Sequence, residues 1–114
     1  MPQHYFSTSL QGRSVTITLG WDRPLQGYFC TVARNDAEGD EDAYVYSNLD
    51  DHALNSRTGL SESLDYFDAL LMARGLTVPR AMMAEVERDG MLNVGNRHVW
   101  YDREGIKSPG PARA

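Results

Sequence analysis

Apolar and polar residues alternate most cleanly between positions 14 and 21. Val15, Ile17, Leu19 and Trp21 fall on one parity and Ser14, Thr16, Thr18 and Gly20 on the other. That period of two predicts a strand with one buried face. Residues 4–10, rich in aromatics and hydroxyls, predict a strand before it. Gln11, Gly12 and Arg13 supply the turn, so the pair reads as a hairpin. Asp22-Arg23-Pro24 interrupts the pattern, because proline cannot donate to a strand ladder. Residues 27–34 predict a third strand with Tyr28, Cys30 and Val32 on one face, and residues 43–47 a short fourth. Positions 35–42 are too charged and too rich in Gly and Asp for a strand and read as a loop. Residues 48–58 read as an irregular connection.

The period then changes. Leu60, Leu64, Phe67 and Leu71 follow at helical spacing, with Ser61 as the expected N-cap and Gly75 as the residue after the helix end. A second helix is expected over about 79–89, capped at Thr77 or Val78. Met82, Met83 and Val86 would lie inward, and Gly90 would stop it. Residues 97–101, RHVWY, predict one more short strand. The sum is an α+β fold: a four-stranded antiparallel sheet, five-stranded if 97–101 joins it, with two helices packed on one face. One domain over 1–104 and a disordered tail over 105–114 complete the expectation.

At 114 residues with 41% hydrophobic and 24% charged positions, the composition is that of an ordinary globular domain. No run approaches the roughly 18 apolar residues of a membrane span. The start Met1-Pro2-Gln3-His4 lacks a basic and then apolar leader, so a cytoplasmic chain away from membranes is expected. The single cysteine, Cys30, excludes an internal disulfide and a multi-cysteine zinc site, and its place inside a strand predicts an inert buried thiol.

Charge distribution changes the picture more than the total of −5. Residues 35–68 hold ten acids (Asp36, Glu38, Asp40, Glu41, Asp42, Asp50, Asp51, Glu62, Asp65 and Asp68) and one base, Arg57; the segment carries −9 and the rest +4. Direct nucleic-acid binding is not expected, since phosphates need clustered Lys and Arg. The acidic segment suits a protein partner with a basic surface.

Candidate chemistry is sparse. His4, His52 and His98 have no helical i,i+4 pairing and no accompanying Cys pattern, so neither a metal nor another cofactor is expected. The acidic loop fails the calcium-loop template: counting from Asp36, Glu41 stands where glycine is required. No nucleophile elbow, glycine-rich phosphate loop or Cys/His pair is present. Asp50-Asp51-His52 is the one triplet that would serve a small enzyme or a metal, and Asn48 to Asp51 equally suits a side-chain-stabilised turn. Parity gives Trp21 to the core. Trp and Arg also dominate interface hot spots, so Trp21 with Arg23 stays open as a partner contact.

The segments TLGWDRPLQGYF, YSNLDD and NVGNRHVWYD resemble a family of small proteins, without an assigned activity, carried by proteobacterial plasmids and other mobile elements. The likeness runs over about 4–102. It implies a setting in which small acidic proteins act against host defence, as anti-CRISPR or anti-restriction inhibitors do, by occupying a basic surface. The expectation is a noncatalytic protein-binding module with Trp21, Arg23, Asp36, Glu38, Asp40, Glu41, Asp42, Asp50 and Asp51 as contacts. The alternatives are a small enzyme using Asp50, Asp51 and His52, and a homodimeric accessory protein paired through a sheet edge.

Overall fold

The computed structural model describes residues 2–35, 44–51, 53–54 and 59–108. Six strands form one sheet: β1 (Pro2–Leu10), β2 (Arg13–Asp22), β3 (Gly27–Arg34), β4 (Tyr44–Ser47), β5 (Arg97–Tyr101) and β6 (Lys107–Ser108). Helices α1 (Leu64–Ala73) and α2 (Arg80–Met91) complete the fold, with a 3₁₀ turn at Asn48–Asp50. The class is α+β, as expected. The sheet order is β4-β3-β2-β1-β5-β6.

The hairpin forms as its sequence predicts. Leu10 pairs with Arg13, and the two residues between them, Gln11 and Gly12, both have positive φ (52° and 81°). That two-residue loop matches the right-handed twist of the flanking strands. The expected wholly antiparallel sheet is corrected: β1 pairs with β5 in parallel, Pro2 against Arg97 through Phe6 against Tyr101. The chain reaches β5 only after both helices, and a parallel pair requires such a crossover. The sheet is therefore mixed, with β1 inside it.

Alternation on each strand sends one side chain in two to the helices. His4 and Phe6, Val15, Ile17, Leu19 and Trp21, Cys30 and Val32, and Val99 and Tyr101 are all buried there. Leu64, Phe67 and Leu71 of α1 and Met82 and Val86 of α2 meet them. The opposite face carries Tyr5, His98 and Trp100, whose rings stack at centroid distances of 4.8 to 6.3 Å. Beside them runs a ladder of hydroxyls and amides, Ser7 to Thr16 to Asn35.

The helix ends differ from expectation in instructive ways. Ser63, not Ser61, caps α1, accepting from the Asp65 amide at 3.1 Å. Ser61 is taken by β3 instead, exchanging two backbone bonds with Tyr28. Gly75 ends α1 as predicted, at φ 78°, and the Leu76 amide closes back on the Leu71 carbonyl at 2.8 Å. The N-cap of α2 is Pro79, without a side-chain bond, and the helix runs through Gly90. Gly90 is a packing glycine: a Cβ there would fall 2.2 Å from the Tyr28 hydroxyl. Asn93, at φ 52°, takes the left-handed position after the helix end.

The expected tail is corrected at its start. The Gly105 amide bonds to the Asp102 carbonyl at 2.9 Å, and Lys107 pairs with Tyr101 and Ser108 with Trp100. Residues 105–108 are thus part of the fold, and residues 109–114 lie outside the described residues. Among the described residues, no helix is long and apolar enough to cross a membrane.

Candidate functional site

A cleft of about 530 Å³ opens between β4 and α1. All four residues of β4 line it, together with Asp50, Asp51, Tyr66, Leu70 and Arg74. Its walls follow from local periodicity: Tyr66, Leu70 and Arg74 stand four apart and share one face of α1. The floor is fixed by the 3₁₀ turn, where the Ser47 hydroxyl accepts from the Leu49 amide and the buried Asn48 side chain ties the turn to Cys30 and Gly59. The size falls within the range of ordinary ligand pockets.

Asp51 joins the walls. Its Oδ2 accepts from the Tyr46 hydroxyl at 2.7 Å and from the Tyr66 hydroxyl at 2.6 Å, while Oδ1 accepts from the Ala53 amide at 3.0 Å. These are charge-assisted bonds, short and strong. Both tyrosines are pushed above their ordinary range, Tyr46 by burial first and then the Asp51 bond, Tyr66 by the Asp51 bond first and then burial. Both phenols therefore stay protonated and donating. The Arg74 guanidinium lies over the Tyr46 ring, 5.4 Å from its centroid. Tyr44, 58% exposed, and the exposed Asp50 form the lip.

Of the residues singled out in the sequence, the cleft brings together Asp50 and Asp51. Asp36, Glu38, Asp40, Glu41, Asp42 and His52 lie outside the described residues. Trp21 is elsewhere, 7% exposed, tilted against Tyr28 at 4.9 Å and donating its indole N–H to Asn93 Oδ1 at 3.0 Å. Its position is that of a core residue that ties β2 to the end of α2. Arg23 is exposed in the turn after β2; a Cβ at Gly95 would lie 2.9 Å from its Nη1. Cys30 is fully buried and burial pushes its thiol up to about 12, so it is not a nucleophile at neutral pH.

Sequence reasoning missed a second polar cluster. His4 and Asp89 are both 0% exposed, and His4 Nε2 bonds Asp89 Oδ2 at 2.5 Å. Tyr101 Oη lies 2.8 Å from His4 Nδ1. With His4 neutral, Nε2–H donates to Asp89 and the tyrosine donates to Nδ1. Burial lowers the His4 pKa and outweighs the opposing pull of Asp89, which favours that neutral form. Arg97 Nη1 donates to Asp89 Oδ1 at 3.1 Å, Arg97 and Lys107 both reach Glu85, and a chain of bonds thus runs from the core to the surface. A signal existed: Asp89 continues the Met82 and Val86 stripe of α2, and His4 shares its parity with Phe6. A carboxylate on an apolar stripe needs a buried partner. An acid, an imidazole and a hydroxyl in line resemble a nucleophile relay, but Tyr101 is 4% exposed and its hydroxyl is pushed well above the usual range by burial. The cluster is a structural joint.

Among the described residues, no group of three or more His, Cys, Asp or Glu side chains is arranged to hold a metal ion. Comparison with protein-family models, with curated proteins and with solved structures returns no match.

Proposed function

We propose that this chain is a noncatalytic protein-binding module that engages a basic partner through the β4–α1 cleft and the acidic sequence flanking it. The observation that carries the reading is the lip of the cleft, which the exposed Asp50 and the exposed Tyr44 both line. Five further acids, Asp36, Glu38, Asp40, Glu41 and Asp42, precede Tyr44 closely in sequence. Carboxylates beside aromatic faces recognise cationic side chains. Among the described residues, three groups that could serve chemistry are committed elsewhere: His4 and Cys30 are buried, and Asp51 holds two tyrosines. The setting of a mobile genetic element rests on the sequence resemblance. In that setting the module would act as an inhibitor that covers the basic, nucleic-acid-binding surface of a host defence protein.

The test is affinity capture from bacterial extract with the wild-type chain and with Asp50→Asn/Tyr44→Ser. A specific partner should be retained by the wild type, rich in Lys and Arg on its surface, and released as salt rises. The purified partner should bind the double variant about tenfold more weakly, the sum of a rim ion pair and a cation–π contact. Equal affinity for both chains contradicts the reading.

A further inference from the structure

The cleft is more than a pocket with charged edges, because it follows the open edge of a sheet. β4 stands at the end of the strand order and pairs only with β3. Among the described residues its other edge makes no backbone hydrogen bond. Every residue of β4 lines the cleft, and the Tyr66, Leu70 and Arg74 face of α1 forms the opposite wall. An unpaired strand facing a helix across a groove is the arrangement that accepts an extended peptide as an added strand. Four residues of β4 offer roughly 13 Å of edge, enough for a segment of about four residues. The bulge at Val45, where Ala33 pairs with Tyr44 and Val32 with Tyr46, bends this edge away from a flat sheet-to-sheet contact. That favours a short peptide over a second copy of the chain.

The side-chain chemistry of the groove names the peptide. Arg74 already lays its guanidinium over the Tyr46 ring, so this wall has the geometry for that group. Tyr44 presents a second ring at the lip, and Asp50 supplies a carboxylate to the same cleft. An incoming arginine would find both a ring face and an anion there, in a cleft lined by two carboxylates, Asp50 and Asp51, against one cation, Arg74.

We propose that the β4–α1 cleft takes an extended, arginine-bearing segment of the partner as an added strand on the open edge of β4. The proposal rests on the binding-module reading and specifies what it binds.

The probe is a fluorescein-labelled peptide, acetyl-Val-Arg-Val-Arg-Val-amide, with its Glu-for-Arg counterpart and two N-methylated forms. One form is methylated on the backbone nitrogens of the two arginines and the other on that of the central valine. In a strand, alternate amides point to opposite edges, so only one form blocks pairing. The arginine peptide should bind the full chain and the glutamate peptide should not. One N-methylated form should lose about tenfold or more and the other should bind within about twofold of the parent. The backbone amide signals of Tyr44 to Ser47 should shift in a ¹H–¹⁵N titration.

Equal binding of both N-methylated forms, or unmoved β4 amides, overturns strand addition. If capture of the partner still depends on Asp50 and Tyr44, the binding-module reading survives that result. No peptide binding at all overturns the proposal in the same way, and loss of the capture result as well removes the reading beneath it. A chain that already sediments as a dimer, with β4 amides protected from exchange, assigns the edge to a second copy and overturns the peptide.

Discussion

The protein holds two carboxylates by the same means and uses them in opposite ways. Asp89 lies beneath α2, at 0% exposure, bonded to His4 and Arg97. Asp51 lies at the mouth of the β4–α1 cleft, bonded to Tyr46 and Tyr66. Each joins a strand or turn to a helix. Where water is excluded, every donor and acceptor must be matched, and His4, Tyr101 and Asp89, with the part-exposed Arg97, meet that condition. Where water enters, the same kind of bond can shape a wall and leave neighbouring groups, Asp50 and Tyr44, for a partner. Burial, more than residue type, separates scaffold from candidate site.

Removing Asp89 should break the comparison hardest. Asp89→Ala leaves the buried His4 Nε2–H without an acceptor and takes one of two carboxylates from the part-exposed Arg97, which keeps Glu85, a loss of about 3 kcal/mol. Against the roughly 5–15 kcal/mol that separate folded from unfolded domains, this is a large fraction, read by urea denaturation. Asp51→Ala should cost less, toward the lower end of about 1–3 kcal/mol, because water in the cleft can serve the two freed phenols. If Asp51→Ala proves as damaging as Asp89→Ala, the cleft is as dry as the core and the contrast fails.

Acid should expose the difference more gently. The His4 pKa is lowered in the fold from 6.5, so below pH 6.5 the unfolded chain takes up a proton that the fold resists. Its stabilising contribution is complete above that pH and declines as pH falls toward the lowered value. The groups facing it, Asp89, Tyr101, Arg97 and Glu85, set how far. Glu85 acts in a lower window: Lys107 and Arg97 hold its carboxyl below 4.5, so its contribution declines only as pH drops under that value. Denaturation midpoints between pH 7 and 3 should therefore fall in two steps, and His4→Gln should remove the upper one. A single step near pH 4 in both proteins would show His4 to be uninvolved.

Period-two alternation made β2 and β3 legible, since Val15, Ile17 and Leu19 each face the core and each is at most 1% exposed. Gly75 was legible because few residues tolerate its backbone conformation. The parallel pairing of β1 with β5 was not, because contacts between Phe6 and Tyr101 leave no local mark in the sequence. Nor was Gly90, whose reason is the Tyr28 hydroxyl on a distant strand. Of the site, the sequence marked Asp50 and Asp51 by charge alone. The cleft itself depends on α1 bringing Tyr66, Leu70 and Arg74 against β4, a tertiary event. Trp21 showed the converse: a residue type common at interfaces is here a core plug, bonded to Asn93.

The central claim is that Asp50 contributes to binding and not to the fold. Isothermal titration of the captured partner against the wild type and Asp50→Asn, with both chains also melted, tests it directly. The account expects a several-fold weaker Kd for the variant, a gap that closes as salt rises, and unfolding free energies within about 0.5 kcal/mol of each other. An unchanged Kd at low salt, or a weaker one that merely tracks lost stability, would contradict it.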